Sequence, residues 1–151
     1  MNTWRPASGI RFKALGLHWR DNRLLASEVY EDSGRLKGVR PLGGTVEFGE
    51  TAQTAVIREF QEELEITVKI AGSPTFIENI YVHEGSLGHE VLAIFDVTFP
   101  PEAFAGQTRI AFREDSGVEC FAEWFALGEL DGPGQPQLYP TGLKAYLQSK
   151  R

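Results

Sequence analysis

One cysteine stands in the whole sequence, Cys120, so an internal disulfide is excluded; its place in an apolar, aromatic stretch makes it a core residue rather than a nucleophile. Positive charge is scarce: 15 Lys and Arg against 21 Asp and Glu leave a formal net charge of −6. A general binder of nucleic acid or of a membrane surface carries a basic patch, so neither is expected as a partner. No apolar run approaches the ~20 residues that span a bilayer. The opening MNTWRPASGIRF has no apolar targeting core, which makes the cytoplasm the expected compartment. Histidine is also rare, and His18, His83 and His89 are too scattered for metal-ligand spacing, so they are read as structural. Internal repeats and low-complexity tracts are absent. With 151 residues, 42% of them hydrophobic, residues 1–151 are expected to form a single domain around one real core.

What is present is a succession of strand-like stretches around two helical ones. Ile10 to Trp19 alternates Ile10, Phe12 and Ala14 against Arg11 and Lys13, and Leu24 to Tyr30 returns after a turn at Asp21-Asn22. Leu36 to Leu42 is extended. Beyond the central segment, Thr67 to Ala71 and Thr75 to Val82 read as a short and a longer strand, followed by a turn from His83 to Gly88. Glu90 to Phe99 contains the run Val91 to Phe95, apolar at successive positions, which marks a strand covered on both faces. Pro100 to Gly117 reads as an irregular surface loop. Glu119 to Leu127 is a further strand, Glu129-Leu130 begins a helical turn, and Gly132 to Pro136 is a linker. From Pro140, Leu143, Tyr146 and Leu147 recur at helical spacing up to Lys150-Arg151. This order predicts a mixed α/β (α+β) fold, a mixed sheet clasped between two helices. Alternating apolar positions on edge strands leave a homodimer open.

The densest segment is GGTVEFGETAQTAVIREFQEELEI, residues 43–66. Gly43-Gly44 and Gly49 bracket a tight loop. From Thr51, an N-cap residue, Ala52, Val56, Ile57, Phe60 and Leu64 recur at helical spacing, which predicts a helix of about four turns ending near residues 64–66. These apolar residues span an arc of roughly 140°. Glu59 and Glu62 adjoin its edge and Glu63 falls inside it. Carboxylates crowded toward a buried face need positive partners. Arg58 offsets only one of them and by position points toward Glu50. Several carboxylates and a glycine carbonyl suit Mg²⁺ or Mn²⁺, hard ions that keep part of their water shell, and such a site suits phosphate chemistry.

In this segment Gly44, Glu50, Arg58, Glu59, Phe60, Glu62, Glu63 and Ile66 stand at the spacing Gly-x5-Glu-x7-Arg-Glu-U-x-Glu-Glu-x-Gly-U, with U a bulky aliphatic residue. The chain thereby resembles the Nudix hydrolases, whose box this is. Three positions depart from it. Glu65 takes the final glycine position, Phe60 fills an aliphatic slot, and Pro41 sits one place earlier than the usual proline. A non-glycine at the helix terminus costs on the order of 1 kcal/mol. The Trp124-Phe125-x-Leu127-x-Glu129-Leu130 segment also looks like the family's C-terminal strand ending.

The resemblance implies a Nudix alpha-beta-alpha sandwich and the hydrolysis of a nucleoside diphosphate linked to another group, a small-molecule nucleotide. It implies two or three divalent ions held by Glu59, Glu62, Glu63 and the Gly43 carbonyl, with Arg58 and Glu50 as a supporting pair. The general base is Glu59 or a glutamate outside the box, Glu119 first and Glu114 in reserve. Tyr81 falls where some members mark their substrate class and hints at a dinucleoside polyphosphate. Arg40, Arg11 and Tyr30 lie on strands that could face the nucleotide. The alternative is a Nudix-fold domain that binds or senses a nucleotide without turnover. A plain interaction domain with an acidic helix leaves the spacing of Gly44, Glu50 and Arg58 unexplained.

Overall fold

A computed structural model describes residues 3–114 and 116–150. Met1 and Asn2 of the opening stretch, Asp115 of the expected surface loop and Arg151 at the expected helix end lie outside the described residues. The strands are β1 (Ile10–Leu17), β2 (Trp19–Arg20), β3 (Arg23–Tyr30), β4 (Leu36–Arg40), β5 (Leu42–Thr45), β6 (Lys69–His83), β7 (Ser86–Thr98), β8 (Arg109–Arg113), β9 (Glu119–Phe125) and β10 (Gln137–Leu138). Helix α1 (Ala52–Leu64) follows β5, a single 3-10 turn spans Leu127–Glu129, and α2 (Leu143–Lys150) closes the chain. The strands divide into two mixed sheets. One runs β5-β1-β7-β6, and the other β10-β4-β3-β9-β8 with β2 paired to β3. The parallel pairs are β1 with β7 and β10 with β4.

Strand alternation puts one hydrophobic cluster on each side of these sheets. Ala14, Leu25, Ala93, Phe95, Ala122 and Trp124 turn toward α1 and meet its Ala55, Val56, Phe60 and Leu64. Leu15, Leu17, Leu24, Leu92 and Ile94 turn the other way and meet Leu143 and Leu147 of α2. The sheets therefore lie between the helices, as the element order predicts. Phe60, the aromatic in an aliphatic slot, fits because it lies over Gly16 of β1, where any side chain would collide with its ring.

Four local expectations change. β8 forms inside the segment read as irregular, and its Arg-Ile-Ala-Phe-Arg sequence alternates exposed and buried residues as it pairs with β9. The two strands after α1 are one strand, β6, with a register shift between Ala71 and Thr75 around Gly72-Ser73-Pro74. The turn between β6 and β7 shrinks to Glu84-Gly85, both at positive φ, the conformation of a two-residue hairpin. β9 stops at Phe125, and the helical turn comes at Leu127–Glu129, slightly earlier than Glu129-Leu130.

The face of the first sheet that turns toward α1 continues past the helix. There Ile10, Phe12, Phe76, Ile80, Val82 and Leu87 remain 38% to 66% exposed. Pairing sets them in cross-strand rows, with Ile10 and Ile80 flanking His89 and Val82 opposite Leu87. A Glu78–His89 contact of 2.8 Å lies among them.

Helix α1 ends as a glycine would end it. Glu65 sits in the left-handed region at φ 58°, and its N–H donates to the Gln61 carbonyl. Because Glu65 is exposed, Glu65→Gly relieves the strain with little loss of packing. Thermal denaturation should report a gain of about 0.5–1 kcal/mol, and a large loss would mean that the side chain makes a stabilising contact. The histidine at position 18 sets a pH limit. Its ring stacks on Phe99 with centroids 3.7 Å apart, and its Nδ1 accepts from the Trp124 indole N–H at 3.2 Å. Burial, with Arg20 adding to it, lowers His18 from 6.5 to about 4. The unfolded chain takes up this proton first, so stability should fall as the pH drops from about 6.5 to about 4. Denaturant midpoints across that window should flatten in His18→Gln; an equal slope in both proteins would assign the effect elsewhere.

Candidate metal-binding and catalytic site

The site is built on the junction of β5, the loop after it and α1. β5 pairs antiparallel with β1, and Gly43 packs so closely on β1 that a Cβ there would collide with the Ala14 carbonyl. Gly44 has a different reason for lacking a side chain, because the Glu59 carboxylate occupies that space. The loop then turns under its own hydrogen bonds, Glu50 N–H to the Glu47 carbonyl at 3.0 Å and Glu47 N–H to Glu50 Oε1 at 3.1 Å. Thr51 caps α1 by accepting from the Thr54 N–H at 3.1 Å.

Arg58 joins these parts. Its Nε and Nη2 donate to the two Glu50 oxygens at 2.7 and 2.9 Å, and Nη2 also reaches the Thr45 carbonyl at 3.1 Å. Its Nη1 donates to Glu59 Oε1 at 3.0 Å and Glu62 Oε1 at 3.2 Å. The expectation that Arg58 offsets only one carboxylate is thus corrected: its planar, five-donor head serves Glu50, Glu59 and Glu62 together. The guanidinium, helped by the Glu47 N–H, holds the Glu50 carboxyl down to about 2. The same carboxylates push Arg58 further above its usual range.

The Glu59 side chain is 8% exposed, while the Glu62 side chain is 40% exposed. Glu59, Glu62 and Glu63 follow one another along α1, with the buried one nearest the glycine turn. Donor chemistry here fits a hard divalent ion, since the box offers carboxylate oxygens only and the Glu59 carboxylate lies against the glycine turn, in the space that a Cβ at Gly44 would fill. Among the described residues, the one group whose three ligand atoms lie within 4.8 Å of one another is Asp32, His83 and Glu84, so the box glutamates are spread more widely. Cations already serve that other group: Arg5 clasps Asp32, and Lys37 Nζ lies 2.9 Å from His83 Nδ1.

Outside the box the sequence-predicted residues separate. On β9, Cys120, Ala122 and Trp124 face the α1 cluster, so Glu119 faces away with Phe121 and Glu123. Tyr30 shares that outer face. Its hydroxyl donates to Glu28 at 2.5 Å, and Arg109 clasps Glu28 and Glu123 at 2.9 and 2.7 Å while lying over the Phe121 ring. Glu119 and Tyr30 are therefore not gathered with the box. Burial pushes the Cys120 thiol up to about 12, and the charges of Glu114 and Glu63 both add to the rise, so these two glutamates act on the same thiol. Arg40 ends β4, and its charge acts on Lys13, Tyr81 and Cys120. Arg11 and Tyr81 line a cavity with Thr45, whose carbonyl Arg58 holds.

That cavity also contains Lys13 and Glu90, which sequence reasoning passed over as the polar alternates of two strands. Their one signal was a charged residue at the edge of an apolar run, and their pairing depends on the parallel register of β1 and β7.

The NUDIX domain profile matches residues 17–145. Among solved structures, the MutT NUDIX hydrolase from Burkholderia pseudomallei is similar at 24% identity and a TM-score of 0.63, over 92% of this chain and 98% of that one. The E. coli ORF135 protein is similar at 19% identity and a TM-score of 0.60, over 93% and 91%. The MutT protein from Methanosarcina mazei Go1 is similar at 18% identity and a TM-score of 0.56, over 98% and 95%. No curated protein sequence matches the chain.

Replacing Gly44 with Ala would displace the Glu59 carboxylate. Overpacking of this kind should lower the denaturant midpoint by an amount equivalent to about 1–3 kcal/mol; an unchanged midpoint would mean that the carboxylate swings aside freely.

Proposed function

The chain belongs to the Nudix family and is a pyrophosphohydrolase, and on that premise we propose that it cleaves a phosphoanhydride bond of a nucleoside diphosphate linked to another group, with Mg²⁺ or Mn²⁺ as cofactor. Such a substrate is a nucleoside triphosphate, a nucleotide sugar or a dinucleotide. The observation that carries this proposal is the clasp of Arg58 on Glu50, Glu59 and Glu62, with the Glu59 carboxylate in the space that Gly44 leaves open. A non-hydrolytic binding domain would have no need to keep all of these groups.

Glu59, Glu62, Glu63 and the Gly43 carbonyl are the residues that would hold the metal. When bound, divalent ions neutralise a diphosphate and lower the pKa of a coordinated water. The chain's own contribution is to fix the oxygen donors. Arg58 and Glu50 lock the loop to the helix, so Glu59 keeps its place without reorganising as charge builds on the phosphates. Water attacks phosphorus, the bridging P–O bond breaks, and each product leaves with a terminal phosphate. For the proton of the attacking water, Glu59 is better situated than Glu119, which faces the other side of β9, and Glu114 is the candidate outside the box.

Glu63→Gln keeps the side-chain volume and removes the charge. With Mg²⁺ and a panel of nucleoside triphosphates, nucleotide sugars and dinucleotides, product release should fall on the order of 100-fold or more in this variant, with an unchanged melting curve. Equal turnover in the two proteins would overturn the site.

A further inference from the structure

We propose that the cavity lined by Glu90 and Lys13 is the subsite that reads the nucleobase, and that it selects a guanine-type edge. This deepens, and rests on, the nucleotide pyrophosphohydrolase reading. The cavity measures about 180 Å³. That is below the ~300 Å³ at which sites for whole drug-sized ligands begin, and suits one planar ring system. Trp4 of the N-terminal arm and Tyr81 of β6 contribute aromatic surface to it. Thr45 belongs both to this cavity and to the Arg58 clasp, so the cavity adjoins the strand end from which the box loop starts.

Glu90 is the unusual element. It is 6% exposed, and its Oε1 is buried without a hydrogen-bond partner. Lys13 Nζ stands 3.4 Å from that oxygen, close enough for an ion pair but without hydrogen-bond alignment. A buried carboxylate oxygen that has an ion pair but no hydrogen bond has its desolvation cost only partly offset. Arg11, on the same strand face as Lys13, and Arg40 at the end of β4 supply positive surroundings, yet neither donates to Glu90 Oε1. Burial, with Arg40 adding to it, lowers Lys13 from its ordinary value while Glu90 opposes the shift.

The chemistry of the pair selects among bases. A carboxylate accepts only, through two oxygens, and an ammonium donates only. Of the four common bases, guanine alone presents two adjacent donors on its pairing edge, N1–H and N2–H, with the O6 acceptor next to them. The two donors match Glu90, and O6 matches Lys13. Adenine, cytosine and uracil each offer one such donor beside ring or carbonyl lone pairs, which would face the carboxylate unpaired.

The test measures kcat/KM for GTP, ATP, CTP and UTP with Mg²⁺, and calorimetric titration with guanosine alone, without phosphate or metal. The expected result is a guanine preference of about 10-fold or more, lost in Glu90→Gln, whose amide turns one acceptor into a donor. Lys13→Met, which removes the O6 donor, should weaken guanosine binding as well, and it gives a second handle if Glu90→Gln folds poorly. Turnover of all four nucleotides without base preference, or a preference that both variants retain, overturns the subsite and leaves the hydrolase standing. Guanosine binding that depends on Glu90, with no turnover of these four triphosphates, sustains the subsite and directs the search for the hydrolase's substrate to guanine nucleotide sugars and dinucleotides.

Discussion

A single guanidinium organises the functional half of this molecule. Arg58 is charged at every pH the fold survives, and its rigid fork meets the loop through Glu50 and Thr45 and the helix through Glu59 and Glu62. Without it, four acidic residues between positions 50 and 63 would repel one another across one turn of loop and three of helix. With it, the loop is tied to the helix it precedes, and the most buried carboxylate has a fixed partner. The glycines before the loop serve the same end from the other direction. Gly43 lets β5 lie against β1, and Gly44 clears the volume into which Glu59 is pressed.

The two-sided sheet arrangement explains how this local assembly meets the rest of the chain. β1 is shared. One of its faces carries Ala14 beneath α1, and the other carries Leu15 and Leu17 toward α2 with Lys13 at the cavity. A strand that serves both cores brings the carboxylates of α1 and the Lys13–Glu90 cavity to opposite sides of the same few residues of β5 and β1. The separation of the two is then set by backbone, the least adjustable part of the structure.

Much of this was legible in the sequence where the signals were local. The box segment fixes its own loop and helix, because Gly44, Glu50, Thr51 and Arg58 act within a few turns of one another. The apolar face of α1 and the burial of Leu143 and Leu147 follow from helical periodicity alone. Non-local pairing was not legible. β8 has a clear alternating pattern, but Pro100-Pro101 and the mixed charge around it favoured a loop until β9 supplied its partner. Glu119 and Tyr30 were judged by position along the chain, whereas the pleat decides which way they face. Glu90 looked like an ordinary strand-opening charge, and its buried state arises only when β7 lies between β1 and β6. Arg58 was underestimated because a wheel assigns one direction to a side chain long enough to reach several.

The exposed apolar rows on β1, β6 and β7 have a colloidal consequence. Ile10, Phe76, Ile80, Val82 and Leu87 offer an apolar strip across β1, β7 and the edge strand β6, with the Glu78–His89 pair as its polar break. What opposes contact between such strips on neighbouring molecules is the long-range repulsion of a chain carrying −6. That repulsion reaches about 30 Å in dilute buffer and about 8 Å at physiological ionic strength. Added salt therefore shortens the reach of that repulsion while leaving the attraction of the strip intact.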